Sequence, residues 1–428
     1  MIAESSPRLA ILNGGPGVGK THTTAAIVRS LLARDSKLPI GLCAPTGKAA
    51  IRMTQLMQKH GVNREAVTIH RLLGVTRNGH DGDGWGFYHH AGNPLPAKVL
   101  CIDETSMLGT DLAASLFSAI PEDCLVLCIG DTGQLLPVGH GAPMRDIIKS
   151  GRVPVANLTE VRRNSGDLAF ACQEMELRGA FTPSKGRHLP HENWWHFESR
   201  SSLRTRQIVS SLMGNLPGGF TASDIQVVCS LKQKSKLGCE SLNDLLAPLC
   251  NPLFSSKGKA KFATGDKVIC SKNGHYQASL TDEEKQKLID EAKAAGESGK
   301  KVKDDEASWF VANGEVGTVF ESKPGVSVVE FEGPDRRCRF AGGFQDVLSL
   351  AYAITTHKSQ GSEWPIVIFP IDDCSGSKFL SSRELVKTAV SRSQVLTITV
   401  GQETVARQML KKVAIDGRKT FLVEGLVG

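Results

Sequence analysis

An α/β fold built on parallel sheets is predicted by three features of the 428-residue chain. Near the N-terminus, RLAILNGGPGVGKTHTTAAIVRSLL reads as an apolar strand, a glycine-rich loop and then a helical pattern. A second apolar run, in AKVLCIDETSM, stops at two adjacent carboxylates. Two further strand-like runs also end in polar clusters: IGLCAPTGKAA delivers Pro45, Thr46 and Lys48, and LVLCIGDTGQLLPVGHGAP delivers Asp131 and Gln134. Strands that alternate with helices and carry polar residues at their carboxyl ends place a ligand at that end of a parallel sheet.

Composition sets the outer bounds. The chain is long enough for two or three domains with real cores. Its 22% charged and 40% hydrophobic residues describe an ordinary water-soluble globular protein. No apolar run approaches the roughly 18 residues of a membrane span, and the N-terminus has no apolar signal core. A cytoplasmic protein with no membrane partner is expected. The eleven cysteines are scattered through apolar runs without a C-x-x-C pair, so reduced core thiols are expected rather than a zinc or redox site. The net charge of +7 suits a polyanion, although many enzymes are as basic.

The first loop carries the sharpest chemistry. In Gly14-x-x-x-x-Gly19-Lys20-Thr21, the glycines (Gly14, Gly15, Gly17 and Gly19) let successive backbone N–H groups curl around phosphate oxygens. Lys20 reaches the β- and γ-phosphates, Thr21 ligates magnesium, and the new helix points its positive end at the anion. A glycine-rich turn without a ligand is the bland reading; the strand before and helix after argue against it. Asp103 then completes the magnesium site, and Glu104 orients and deprotonates an attacking water. Alone, two carboxylates at a strand end would be a solvated turn; beside a phosphate loop they are catalytic candidates. Together these elements predict a nucleoside triphosphatase using ATP and Mg2+, without saying what the energy does.

One segment is left over. In ITTHKSQGSEWPIVIF, polar residues from Thr355 to Gln360 lead into Gly361 between two apolar runs. A turn needs only residues such as Gly, Asn or Pro, so hydroxyls, an imidazole and an ammonium in a row ask for another ligand. A phosphodiester backbone suits them.

The whole series of motifs resembles the RecD-like branch of superfamily 1 helicases. In that family's order the chain carries GGPGVGKTHT, CAPTGKAA, TIHRLLG, FYHHAGNPLPAKVLCIDETSM, GDTGQLLPVGHGAP, RDIIKSGRVPVANLTEVRRN, LGCESLNDLLAPLCNP, GDKVICSKN, NGEVGTV, AYAITTHKSQGSEWP and VKTAVSRS. The resemblance implies two RecA-like parallel-sheet domains, 1–155 and 156–428. It implies an inserted β-hairpin at 75–97 in the first and a small inserted β-barrel at about 260–346 in the second. It also implies that Thr355, His357, Lys358 and Ser359 hold strand phosphates, with Gly361 and Glu363 approaching the nucleotide. Pro45, Thr46, Lys48, Thr68 and His70 belong to the strand-facing loops of the first domain. Gln134, Arg163 and Arg392 join Lys20, Asp103 and Glu104 in the catalytic set, since guanidinium groups stabilise charge on a transferring phosphoryl group.

Three departures from the family stand out. Relatives carry an adenine-reading Gln upstream of the phosphate loop, whereas the first Gln here is Gln55. The fourth motif reads Arg163-Asn164 where relatives usually have Arg-Gln, and Arg162 is the neighbouring ambiguity. A charge-dense insertion at about 277–308 reads as a solvated helix with a mobile tail. The predicted hairpin carries Trp85, Phe87 and Tyr88 among turn residues, and Phe87 and Tyr88 are expected to meet the nucleic acid at a fork.

The expected protein is thus an ATP-dependent helicase or translocase moving 5′→3′ on single-stranded DNA and unwinding fork DNA, the direction being implied by the resemblance alone. An RNA helicase and a nucleotide-gated strand-binding protein are the alternatives. A monomer is expected, with replication or repair proteins as further partners.

Overall fold

The computed structural model describes residues 8–76, 86–137, 139–160, 166–185, 193–215, 219–280, 307–331, 336–414 and 422–427. Arg163 with Arg162 and Asn164, Trp85, and most of the charged insertion lie outside the described residues. The chain divides into two compact units, one formed by Met1–Ser199 with Ser359–Gly428 and the other by Arg200–Lys358.

The first unit contains a six-stranded parallel sheet. From one edge its strands are Val67–Thr68, Ile40–Ala44, Val99–Ile102, Leu125–Gly130, Leu9–Gly14 and Val155–Leu158. Side chains alternate across a strand with a period of two, and here both faces are covered, as parallel sheets require. Ile11, Cys43, Leu100, Ile102 and Cys128 join one buried cluster, while their neighbours Leu12, Leu42, Ala44, Val99, Cys101 and Ile129 join another. This double burial explains why the strands read as continuous apolar runs. It also leaves polar residues only where a strand ends.

The glycine-rich loop leads into the helix Lys20–Arg34, and the second strand leads into the helix Gly47–Lys59. The latter is N-capped by Thr46, whose hydroxyl accepts from the Ala49 N–H at 3.3 Å. A short antiparallel pair, Val75–Thr76 with Gly86–Phe87, belongs to the same unit. A second parallel set in this unit runs Ser184–Lys185, Trp194–Glu198, Ser393–Gly401 and Trp364–Pro370.

In the second unit, Ile225–Cys229 pairs in parallel with Ala353–Thr355, setting Cys229 opposite Thr355. Asn243, on the helix Cys239–Cys250, pins this pair. Its amide donates to the carbonyls of Leu350 (3.1 Å) and Ala353 (2.9 Å), and its oxygen accepts from the Ala353 N–H at 2.8 Å. The rest of the unit is a seven-stranded antiparallel sheet. Its order is Ser308–Val311, Gly274–Ala278, Arg336–Ala341, Val326–Phe331, Val316–Lys323, Lys267–Cys270 and Leu348–Leu350. It folds over a core that includes Tyr276, Val319, Val329, Phe331, Cys338 and Phe340. Cys338 and Phe340 point inward and Arg339 outward, the alternation of a sheet with one wet face.

Candidate nucleotide site and strand-facing loops

The nucleotide candidates converge at the carboxyl ends of the first sheet. Gly17 and Gly19 adopt φ of 78° and 85°, the left-handed region in which glycine is unstrained. The loop is thereby curled, and Lys20 folds back over it, its ammonium donating to the carbonyls of Gly14 (2.7 Å) and Gly15 (2.8 Å). A cation held only by loop carbonyls is ready to exchange them for phosphate oxygens. Thr21 stands in the first turn of the following helix.

Asp103 and Glu104 follow the strand Val99–Ile102, with the Asp103 N–H donating to the Cys43 carbonyl at 2.8 Å. Burial and the adjacent Glu104 carboxylate push Asp103 up to about 6, against the lowering effect of the Glu104 N–H, Lys20 and Arg52. Glu104 takes a left-handed φ of 50°, a strained conformation for a residue with a side chain. Its Oε2 and the Oε1 of Gln134 are buried with no hydrogen-bond partner among the described residues. Buried polar atoms left unpaired cost free energy unless something fills the role. Two orphaned acceptors, a raised carboxyl and a folded-back lysine fit a magnesium nucleotide: Lys20 and the loop N–H groups would hold phosphates, and Thr21 and Asp103 the metal.

Around this centre the sequence reading missed a locked set of charges. Lys387, on the helix Arg383–Val390, is 1% exposed and pairs with Asp131 (3.0 Å) and with Glu176. Burial works against its charge, but the two carboxylates outweigh it and raise its pKa above the ordinary lysine value. Burial likewise opposes the charge of Asp131, which Lys387 and Lys20 nevertheless hold below the usual carboxylate range. Asp131 accepts from the Gly133 N–H at 2.9 Å and from the Gln134 amide at 3.3 Å. A Cβ on Gly133 would collide with the Lys387 ammonium and the Glu176 carboxylate, so only glycine fits there. One residue along the helix, the Thr388 hydroxyl accepts from the Leu135 N–H at 3.0 Å. The loop that carries Gln134 is therefore clamped to the helix that leads into Arg392.

Arg392 is buried and donates to the Thr388 carbonyl (3.0 Å) and the Ser391 hydroxyl (3.2 Å). Burial lowers its pKa, while Glu104 and Glu363 act in the opposite direction. Arg52, also absent from the sequence reading, holds Glu363 at 2.7 Å and the Gly361 carbonyl at 3.3 Å. That contact brings Gly361 and Glu363 to the helix Gly47–Lys59. A cavity of about 210 Å³ opens beside this arrangement, lined in part by Gly14, Gly15, Asp131, Glu176 and Lys387.

The strand-facing candidates fall into separate groups. In the first unit, Ala44 pairs with Thr68, so Pro45, Thr46 and Lys48 sit at the same sheet end as Thr68 and His70. The Thr68 hydroxyl caps the helix Ile69–Leu73 through the Arg71 N–H at 3.1 Å, leaving His70 exposed. The Lys48 ammonium stands 5.7 Å from the centroid of Trp364. Phe87 and Tyr88, predicted as a pair, part company. Phe87 packs against the first core cluster and lies 5.9 Å from the His70 ring, whereas Tyr88 is 60% exposed. In the second unit, Thr355 accepts from the Lys358 N–H at 3.3 Å and His357 is exposed. Partial burial, and then the Lys232 ammonium, hold Lys358 below the usual lysine value. Ser359 is fully buried.

A phosphate loop, an acidic strand end, a polar loop carrying Gln134 and a buried arginine on parallel sheets define a P-loop nucleoside triphosphatase fold. Comparison with known proteins narrows the class. Family profiles match an AAA domain over residues 1–140 and a UvrD-like helicase C-terminal domain over residues 350–398. The chain belongs to the RecD-like branch of the superfamily 1 helicases. It is 31% identical over 422 residues to the ATP-dependent RecD2 DNA helicase of Deinococcus radiodurans, covering 97% of this chain and 50% of that protein. It is 27% identical over 451 residues to the RecBCD enzyme subunit RecD of Mycolicibacterium smegmatis, covering 96% of this chain and 71% of that protein. The chain thus spans about half the length of the first of these curated relatives. A solved structure of two Pif1 helicases at forked double-stranded DNA shares the fold, with a TM-score of 0.52 at 17% identity over 97% of this chain and 94% of that one. The parallel sheets are those of two RecA-like domains.

Proposed function

We propose that the chain is an ATP-driven motor that moves 5′→3′ along single-stranded DNA and separates duplex at a fork. The observation that carries this reading is the convergence of Lys20, Asp103, Glu104, Gln134 and Arg392 within one unit, with two buried acceptors that have no hydrogen-bond partner among the described residues. Magnesium supplies charge neutralisation on the phosphates when bound with ATP. Lys20 and the loop N–H groups orient the γ-phosphoryl group, and Glu104 takes the proton of the attacking water. Gln134 positions that water, while Arg392 and Arg163 stabilise the charge that develops. The clamp of Lys387 and Thr388 on the Gln134 loop ties changes at the phosphate to the helix that leads into Arg392.

Strand contact follows from the two groups of exposed polar residues. Lys48, Thr68 and His70 hold backbone phosphates in one RecA-like domain, and Thr355, His357 and Lys358 do so in the other. Alternating grip between the two advances the strand. Tyr88, on the short hairpin, stacks on the base at the fork, where each base-pair step holds roughly 1.4 kcal/mol of stacking. The antiparallel sheet of the second unit corresponds to the small inserted barrel of the family. The proposed setting is that of a cytoplasmic monomer acting in DNA repair or replication.

Unwinding of 5′-tailed against 3′-tailed DNA duplexes with ATP tests the proposal. Unwinding of the 5′-tailed substrate alone is the expected result. Preference for the 3′ tail, or hydrolysis that DNA does not stimulate, overturns it. Tyr88→Ala is expected to lose unwinding while retaining DNA-stimulated hydrolysis.

A further inference from the structure

Among the described residues only two besides glycine take left-handed backbone conformations, Glu104 and Lys234 (φ 63°). Glu104 sits at a strand end in the nucleotide site. Lys234 lies in the second unit, in the loop between the strand Ile225–Cys229 and the helix Cys239–Cys250. A turn that needed this conformation for structure alone would use glycine or asparagine, which adopt it readily. A lysine there is strained, and strain of this kind persists where surrounding structure enforces it.

The surroundings do enforce it. The Cys239 N–H donates to the Leu231 carbonyl (3.0 Å), the Glu240 N–H to the Lys232 carbonyl (3.1 Å) and the Gly238 N–H to the Ser235 carbonyl (3.1 Å). The Leu237 N–H donates to the Ser235 hydroxyl at 3.0 Å, and Arg206 donates to the Lys236 carbonyl at 3.1 Å. The loop is thus fixed with its carbonyls bonded and three lysines turned outward. Lys232, Lys234 and Lys236 are all exposed. Lys232 lies 3.6 Å from Glu240, whereas neither Lys234 nor Lys236 has an acidic partner among the described residues.

The neighbour of this loop is the strand Ala353–Thr355, since Cys229 is paired with Thr355. Lys232 is close enough to Lys358 to disfavour its charge. Like charges gathered on a hydrogen-bonded turn after one strand, two of them without an acidic partner among the described residues and one of those two strained, make a site for a polyanion rather than a solvated face. We infer that the Lys232–Lys236 turn is a second contact for the sugar-phosphate backbone, extending the grip of His357 and Lys358 through Lys234 and Lys236. The inference rests on the reading of the chain as a strand motor.

The test is titration of the full chain with labelled oligodeoxythymidine and oligouridine across a range of salt. Each phosphate neutralised contributes about −0.7 to the log–log slope for single strands, so Lys234→Gly with Lys236→Gln is expected to flatten it by about 1.4. Between 50 and 200 mM salt the double variant should then lose about sevenfold less affinity than the parent. Lys234→Arg with Lys236→Arg should keep the parental slope. Lys234→Gly suits the backbone, so it should melt at or above the parental temperature while binding more weakly. An unchanged slope in the neutral double variant overturns the inference, as does an equal flattening in the arginine variant. If the parent shows no salt-dependent binding to either oligonucleotide, the motor reading fails and takes this contact with it; parental binding with an unchanged variant slope sinks the contact alone.

Discussion

The carboxyl end of the first sheet and the end of the strand pair Ile225–Cys229/Ala353–Thr355 perform the same structural task with opposite materials. At the first, the candidate groups are buried or half-buried, paired with one another and in places without a hydrogen-bond partner among the described residues: Lys387 with Asp131 and Glu176, Arg52 with Glu363, and the acceptors of Glu104 and Gln134. At the second they are exposed lysines on a hydrogen-bonded turn after one strand and an exposed histidine after its neighbour. A buried charge is geometrically fixed and insensitive to salt, but its loss is felt throughout the fold. An exposed charge is loosely bound to its own protein and strongly screened. The first arrangement suits a reaction that needs sub-ångström positioning. The second suits a polymer that must be gripped and released.

Substitutions separate the two ends. The largest effect is expected at Glu104. Glu104→Gln should retain ATP and DNA binding yet lose roughly two to four decades of turnover if the carboxylate acts as general base, whereas Lys20→Ala should lose nucleotide binding as well. Steady-state hydrolysis with a nucleotide-binding titration checks both, and near-parental turnover in Glu104→Gln would remove that residue from its role.

Next comes Lys387→Met. Leaving Asp131 buried without its cation should cost about 3–5 kcal/mol in denaturant unfolding. Adding Asp131→Asn should recover part of that loss; additive losses would show that the pair is not a unit.

Asp103→Asn reads the cost of holding this carboxylate charged. A carboxyl raised from 3.8 to about 6 opposes folding when ionised. Both folded and unfolded forms are protonated only below about pH 3, so no penalty exists there; it grows as pH rises through 3.8 toward about 6 and is constant above about pH 7. The asparagine variant should therefore be more stable than the parent by about 3 kcal/mol at pH 7 in the absence of nucleotide, with the difference vanishing near pH 3. Melting temperatures across that range check the sign.

The smallest effect belongs to the strand end. Lys358→Ala should flatten the salt dependence of single-strand binding by about 0.7 or less, for all sequences alike. A sequence-dependent loss would speak against phosphate contact.

The same contrast explains what could be read from the chain. The phosphate loop, the Asp103–Glu104 pair and the Thr355–Lys358 run are contiguous, and each follows an apolar strand, so local pattern placed them. Lys387, Asp131 and Glu176 meet across sequence separations of 256 and 211 residues, which no local pattern encodes. A faint signal was present: in ELVKTAV, Lys387 is a lone cation within a stretch whose other residues are suited to burial. Phe87 and Tyr88 are adjacent aromatics of similar chemistry, and only the packing of one of them on the core tells them apart. Burial of Ser359 within an otherwise polar run was equally hidden, because alternation in a short turn follows neither helical nor strand periodicity.

The cysteines of the doubly covered sheets give the molecule an internal record of its own opening. All eleven are free, and nine are buried, among them Cys43, Cys101 and Cys128 on the strands of the first sheet. Burial pushes the thiols of Cys101 and Cys128 up to about 12, so neither the reactive thiolate nor access is available while the sheet is intact. Cys250 and Cys374 alone are partly exposed. Alkylation of a native sample should accordingly mark these two sites early and the rest only at the pace at which the sheets come apart. Because their positions are spread over both units, the order in which the slow sites are modified is a map of which part of the molecule loosens first.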